Sequence, residues 1–284
     1  MGRHELFRRM RKSYFFVIGS ILVFLILLIA FISPYIVPHD PVKYLLAMRF
    51  KAPQGFKNGW GGYILGTDAL GQDVLSRLMI GSRVSLYISF AVVILTSVIG
   101  TVLGLASGYF GGIADNIIMR ICDVFLSIPA LILAVAVMAV LGNSVENLIG
   151  VLVFTRWAQY TRLVRSNVLS VKTNEFVKAS KVMGGSSVWI MFLQILPNVL
   201  TPLIILMSQE LGHTILTEAS LSFLGLGVPP PAPDWGVMIA DGREYLATYP
   251  WAVIAPGVAL MIAVLAFNFL GDGVRDVLDP KNKD

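Results

Sequence analysis

A stripe of polar side chains lies within an apolar run near residue 210, and its residue types could carry chemistry. Its members are Glu210, His213, Thr214, Thr217 and Glu218, which at 100° per residue fall on one side of a helix. Ionisable groups inside a bilayer are costly and usually face a cavity, a pathway or each other. The stripe therefore predicts the lining of a translocation pathway. The alternative is that Glu210 and His213 pair and hold two helices together.

The composition indicates a membrane protein. The 284 residues are 56% hydrophobic and 14% charged, whereas a soluble protein carries roughly 25% charged residues. The net charge of +5 requires no nucleic acid as partner, because Lys and Arg gather on the cytoplasmic loops of membrane proteins. The single cysteine, Cys122, excludes a disulfide within the chain.

Apolar runs of about 20 residues, the length that crosses a bilayer, predict the topology. The predicted spans are residues 14–32, 84–109, 124–141, 148–169, 199–223 and 251–270. The fourth contains Arg156, Arg162 and Arg165, and it is counted as a span because parity then places residues 172–197 in the cytoplasm. The expected fold is an all-α polytopic membrane protein with six transmembrane helices and both termini cytoplasmic.

The same spans predict how the chain is organised. A cytoplasmic tail and the first helix occupy residues 1–37, and an external loop occupies 38–82. A five-helix core follows at 83–275, and residues 276–284 form a cytoplasmic tail. Gly100, Gly104 and Gly108 recur every four residues on one helix face, which allows close approach of two membrane helices. The partner helix lies either within this chain or in another subunit.

Segment 172–197 is a polar interruption between two apolar runs. Thr173 or Asn174 is expected to cap a short helix, and Gly184 with Gly185 is expected to end it. Pro197 opens the following span, where its missing N–H costs nothing. The apolar face of the short helix is predicted to comprise Phe176, Ala179, Val182 and Met183. Such a helix suits either the groove of a partner protein or the membrane surface.

Missing motifs limit the chemistry that the chain itself can perform. The sequence contains no Gly-x4-Gly-Lys-[Ser/Thr] motif, so it is not expected to hold ATP phosphates. Motifs of membrane proteases and zinc sites are also missing. We therefore expect no catalytic residues, no metal site and no cofactor bound by this chain.

Residues 176–198 resemble the "EAA" loop of ABC importer permeases, with the pattern Phe-Val-Lys-Ala-Ser-x3-Gly-x10-Ile-Leu-Pro-Asn. Three further blocks, at 65–77, 218–236 and 268–280, extend the resemblance to the C-type permeases of dipeptide, oligopeptide and nickel importers. The resemblance implies a type I importer (MetI-like) fold in which segment 172–197 contains the coupling helix. The residues it assigns to coupling are Glu175, Phe176, Val177, Lys178, Ala179, Ser180, Met183, Gly184 and Pro197. Lys178 and Ser180 replace the usual Glu and Ala of the family.

The resemblance also implies the partners. These are a second homologous permease, two cytoplasmic ATPase subunits carrying ATP and Mg, and an extracytoplasmic substrate-binding protein, all at a bacterial cytoplasmic membrane. Peptides are the expected substrate, with nickel chelates and oligosaccharides as alternatives. A function of another class is a self-sufficient proton-coupled transporter that uses Glu210 and His213 as a relay. Such transporters normally show inverted repeats and broken helices, and neither is expected from this sequence.

Overall fold

The computed structural model describes the backbone of residues 3–278 and the side chains from Arg8 onward, and this part of the chain is helical without β-strands. The predicted tail 276–284 therefore lies mostly outside the described residues. The helices are α1 Arg3–Lys12, α2 Tyr14–Ile36, α3 Val74–Phe110, α4 Gly112–Ser127, α5 Ala130–Leu141, α6 Val145–Lys172, α7 Glu175–Val182, α8 Ser187–Trp189, α9 Leu196–Phe223, α10 Trp235–Gly242 and α11 Trp251–Leu278.

Four described segments are long and apolar enough to cross a membrane, namely α2, α3, Ser187–Phe223 and α11. The pair formed by α4 and α5 makes a fifth if it is one span, although the two helices are bent by 90°. Helix α6 is long enough to cross but carries several charged side chains. By length and composition the count is therefore four or five, and the sixth span remains a prediction.

The predicted third span, 124–141, is wrong as a single straight helix. Helix α4 ends at Ser127, Ile128 is extended, and Pro129 occupies the N-cap position of α5. Proline disfavours the helical conformation in the residue before it and lacks the N–H that would continue a helix. The break thus follows from Pro129, and the expectation that no helix is broken is also wrong.

The long helices α3 and α6 are joined along a seam of small residues. An added Cβ at Gly104 would lie 2.6 Å from Cβ of Val164, and one at Gly108 would lie 2.7 Å from Cβ of Val168. Gly100 meets Tyr160 in the same way. Glycines at four-residue spacing therefore face α6 side chains at the same spacing, and the contact lies within this chain.

Helix α2 packs on the last helix, α11, through another pair of glycines. A Cβ on Gly19 would overlap the backbone of Leu270, and one on Gly273 would overlap the backbone of Phe16. The first and last long helices are therefore in backbone contact.

Helix α3 begins ten residues before the predicted span, because the segment ahead of it is folded onto the bundle. The Asp73 carboxylate caps α3 by accepting a hydrogen bond from the Ser76 N–H at 2.9 Å. Trp251 donates from its indole nitrogen to the Thr67 carbonyl at 3.0 Å. We refer to residues 65–77 and 234–251 together as the loop end of the bundle.

Candidate coupling surface and polar cavity

The short helix α7 ends in a Schellman motif. The Gly185 N–H donates to the Ser180 carbonyl at 3.0 Å, and the Gly184 N–H donates to the Lys181 carbonyl at 3.1 Å. Gly184 has φ +85°, a left-handed conformation that favours glycine. A Cβ on Gly185 would lie 2.9 Å from the Ser180 carbonyl oxygen. Both glycines are therefore required for the chain to turn back beside α7.

Helix α7 exposes the face that the sequence predicts to be apolar. Phe176 is 41% and Met183 78% exposed, and Ala179 lies on the same open side with Glu175 and Lys178. Val177 and Ser180 are buried instead, and Val177 packs with Val168 and Ile190. One narrow face of α7 is thus anchored in the protein, and the opposite face is exposed.

The start of segment 172–197 is tied to the end of α3. The Lys172 ammonium donates to the carbonyl oxygens of Gly108, at 3.3 Å, and Tyr109. A basic group at this position satisfies carbonyls left open at a helix C-terminus. Of the two predicted caps, Asn174 occupies the N-cap position of α7, but its side chain makes no capping bond.

A π-helical turn within segment 172–197 leads directly into α9. Residues Ile190–Ile195 form this turn, and the Leu196 N–H donates to the Met191 carbonyl. Pro197 lies in the first turn of α9. In a regular α-helix that continued through this position, a proline would remove a backbone hydrogen bond and clash with the preceding turn. The wider π turn avoids this clash. Because of the π turn, the chain is helical from Ser187 to Phe223, so Pro197 lies inside a continuous helix instead of opening one.

The polar stripe on α9 is divided between different partners. Glu210 forms an ion pair with Arg156 of α6 and also accepts from the Gln159 amide at 3.3 Å. Arg156 donates to the Thr217 hydroxyl at 2.6 Å. His213 is exposed, so the alternative in which Glu210 pairs with His213 is wrong. The sequence placed Arg156 within the predicted fourth span but indicated no partner for it.

Thr214 and Glu218 point away from that ion pair. Both are fully buried, at 0% exposure, and Glu218 accepts from the Ser222 hydroxyl at 3.1 Å. Among the described residues, the hydroxyl of Thr214 and one carboxyl oxygen of Glu218 have no hydrogen-bond partner. The five stripe residues therefore do not line one common surface.

A cavity of about 420 Å³ lies between α6, α9 and α11. Six of its seven lining side chains are polar, which is unusual in a bundle of this composition. The lining residues are Gln159, Leu206, Gln209, Glu210, His213, Asn268 and Asp272. A larger cavity of about 540 Å³ lies at the loop end, and none of the stripe residues lines it.

Two further ion pairs connect α4 to α6. Arg165 binds both carboxylate oxygens of Asp115, with one contact at 2.6 Å, and Arg162 meets Asp123 at 2.6 Å. The sequence placed both arginines within the predicted fourth span but indicated no partner for either. These ion pairs hold α4 against α6. The following helix, α5, is bent by 90° relative to α4.

The chain belongs to the family of binding-protein-dependent transport system inner membrane components, which matches residues 100–284. Residues 3–53 match the N-terminal transmembrane domain of oligopeptide transport permease C. The class of protein is thus a transport permease, in agreement with the resemblance drawn from residues 176–198.

Individual relatives are similar over nearly their whole length. A dipeptide transport system permease protein of Haemophilus influenzae is 40% identical, covering 94% of this chain and 90% of the relative. A glutathione transport system permease protein of Pectobacterium atrosepticum is 39% identical, covering 98% and 91%. A di/tripeptide transport system permease protein of Pseudomonas aeruginosa is 38% identical, covering 94% and 88%.

Proposed function

We propose that this chain is a transmembrane permease subunit of an ATP-driven importer of dipeptides or similarly short peptides. The observation that carries the proposal is the exposed face of α7, a short anchored helix that is followed by two glycines and a π turn. A helix of this kind offers few apolar contacts of its own and suits the groove of a partner. Family membership supplies the class of transport system in which such a partner acts.

The complete importer would contain partners that supply what this chain lacks. A second, homologous permease would complete the translocation pathway, and two cytoplasmic ATPase subunits would bind ATP and Mg. An extracytoplasmic binding protein would deliver the substrate. In this proposal the chain crosses the bacterial cytoplasmic membrane six times, with α6 as the most polar span and both termini inside, so that segment 172–197 would lie on the side of the ATPases.

The continuous helix from Ser187 to Phe223 supports a mechanical link. When the ATPase subunits close, movement of α7 would be carried through the π turn into α9, where Glu210 meets Arg156. Rigid packed elements that connect two sites are the physical basis of such coupling. The relatives named for dipeptides, di/tripeptides and glutathione favour short peptides over nickel chelates and oligosaccharides.

The decisive experiment is reconstitution of the complex with its ATPase subunits and binding protein in proteoliposomes. We expect uptake of labelled dipeptide and ATP hydrolysis that rises when the loaded binding protein is added. Gly184→Val and Ala179→Asp should abolish this stimulation while the complex still assembles.

Matched controls separate coupling from general damage. Gly142 also has positive φ, at +80°, with open space around its Cβ position, so Gly142→Val imposes similar strain away from α7. Ala247 is likewise exposed, and Ala247→Asp matches Ala179→Asp. Equal losses in variants and controls contradict the assignment of α7. Uptake without any ATPase subunit favours the secondary-transporter alternative, which the broken helix at Pro129 also supports.

A further inference from the structure

We infer that the cavity between α6, α9 and α11 is a transit site for the protonated amino end of the substrate, with Asp272 as its counter-charge. This inference rests on the proposed function. It adds the chemical group that the permease itself recognises and a residue outside the α9 stripe.

The cavity walls are built from aligned helix faces. Leu206, Gln209, Glu210 and His213 follow the i, i+3, i+4, i+7 pattern of one face of α9, and Asn268 and Asp272 are one turn apart on α11. Six polar side chains therefore converge on an open cleft between three helices of a strongly apolar bundle. In a membrane protein, such a space is kept for water or a polar solute and not for lipid.

Glycines of α9 and α11 lie directly against the polar side chains of this wall. A Cβ on Gly212 would lie 2.5 Å from the amide oxygen of Asn268, and one on Gly271 would lie 2.9 Å from Cγ of Gln209. Glycines at both positions let α9 and α11 meet beside the cavity, which fixes where Asn268 and Gln209 stand.

The two carboxylates at the cavity differ in how they are satisfied. Glu210 is paired with Arg156 and accepts a second hydrogen bond from Gln159. Asp272 is exposed, and within the described residues its contact is a hydrogen bond of 3.4 Å from the Gln209 amide. No basic side chain of the described chain neutralises it. The excess charge of the cavity is therefore negative and belongs to Asp272.

A primary ammonium group matches this lining. It carries one positive charge and three donors, and the cavity lining offers a carboxylate without a cationic partner as well as the amide oxygens of Gln159, Gln209 and Asn268. Every unmodified peptide has such a group at one end whatever its side chains are. Recognition of this end would let one permease pass many short peptides.

Protection of a cysteine from labelling tests the inference without relying on transport. The reporter is Leu206→Cys, the apolar lining position, in a Cys122→Ala background. The detergent-solubilised complex, without binding protein, is treated with the uncharged reagent methyl methanethiosulfonate. Modification at position 206 is read by mass spectrometry while alanyl-alaninamide or N-acetyl-alanyl-alanine is added.

We expect alanyl-alaninamide, which keeps the ammonium group, to slow labelling, and N-acetyl-alanyl-alanine, which lacks it, to have no effect. Asp272→Asn should raise the half-protecting concentration about tenfold, equivalent to about 1.4 kcal/mol. Asp276→Asn is the control, because Asp276 is exposed on the same helix but does not line the cavity.

Equal protection by both compounds, no protection by either, or equal effects of the two aspartate variants would overturn the inference. If Leu206→Cys fails to assemble, Gln159→Cys repeats the measurement from α6. A complex that imports dipeptide but shows no protection contradicts the transit site alone. A complex that shows protection yet imports no peptide contradicts the proposed function.

Discussion

The coupling end and the loop end of this molecule are stabilised in opposite ways. At the coupling end, segment 172–197 presents Phe176 and Met183 to the surroundings and is anchored through Val177. At the loop end, Thr67, Asp73 and Arg77 are buried and fastened by hydrogen bonds to the start of α3 and to α11. The first end leaves apolar surface uncovered, whereas the second buries polar groups with their partners.

The difference indicates that the coupling end is suited to binding a partner, whereas the loop end is suited to keeping a fixed conformation. Buried polar groups are costly to separate, because each loses its partner without regaining water. Exposed apolar side chains on a short helix contribute little to the stability of the isolated chain and gain by association. The α3–α6 seam between the two ends keeps them in a fixed relation.

The largest effect is expected from breaking that seam. Gly104→Leu has no room, because a Cβ alone would lie 2.6 Å from Val164. The unfolding free energy should fall by more than about 3 kcal/mol, beyond the usual range for overpacking, and both ends should lose their order. Gly150→Leu on α6 is the control, since nothing lies near that position. Size-exclusion profiles and thermal unfolding in detergent measure the result.

A smaller loss is expected at the loop end from Arg77→Met. Arg77 is buried and lies 3.4 Å from Asp68, and removing one partner of a buried pair leaves the other uncompensated. We expect a loss of about 3 kcal/mol in the unfolding free energy. Arg83→Met, an exposed arginine of the same helix, should change it by less than about 0.5 kcal/mol. Equal losses would show that the ion pair does not stabilise the loop end.

At the coupling end, Val177→Ala should loosen α7 locally. Val177 is its buried apolar anchor, and removing two methyl groups from a buried site costs about 1.5 kcal/mol. Amide hydrogen exchange over residues 175–182 should accelerate about tenfold. Val182→Ala, at a position that is 88% exposed, should leave the exchange rates unchanged. A larger effect of Val182→Ala would show that Val182, and not Val177, is the buried anchor of α7.

Phe176→Ser separates stability from coupling. The ring is exposed, so the thermal midpoint should stay within the equivalent of about 0.5 kcal/mol. ATP hydrolysis by the reconstituted complex should nevertheless lose its stimulation by the loaded binding protein. A midpoint that falls as much as that of Val177→Ala would show that Phe176 packs within the chain.

The smallest effect concerns pH at the loop end. Burial raises the pKa of Asp68, while Arg77 opposes this rise. The folded state therefore holds a proton more strongly than the unfolded state, whose pKa is near the ordinary value of 3.8. The contribution of Asp68 to stability is greatest below pH 3.8 and falls as the pH rises through the folded pKa.

Asp68→Asn should remove this part of the pH dependence. Its amide oxygen can still accept the hydrogen bonds that Leu70 and Gln72 donate to one Asp68 oxygen, each at 2.9 Å. The difference in unfolding midpoint between variant and parent, measured from pH 4 to pH 7, isolates the aspartate from the other carboxylates. A difference that is constant over this range contradicts the raised pKa.

Local patterns in the sequence gave the features that depend on a few neighbouring residues. The pair Gly184–Gly185 predicted the end of α7, and the spacing of Gly100, Gly104 and Gly108 predicted a close helix contact. Pro129 also indicates the break between α4 and α5. The prediction of a span at 124–141 missed this break because it considered only the length of the apolar run.

Features that depend on distant residues could not be predicted in this way. Arg156 and Glu210 are 54 residues apart, and nothing in their spacing selects one partner over another. Helical periodicity predicts which side of α9 a residue lies on, but not which helix packs against that side. The five stripe residues were therefore predicted to share one surface. Asp272 lines the cavity because α11 packs against α9, a contact that the sequence did not predict.

The contact of Gly19 with the backbone of Leu270 has a consequence for biosynthesis. A chain is made from its N-terminus, so α2 enters the membrane long before its partner exists. Its other neighbour, α3, follows soon after, but the side of α2 that meets α11 stays uncovered until nearly the whole chain has been synthesised, which the uncharged length of α2 permits. Closure of this contact is therefore one of the last steps in assembly, and a chain truncated before α11 leaves one side of α2 without its partner.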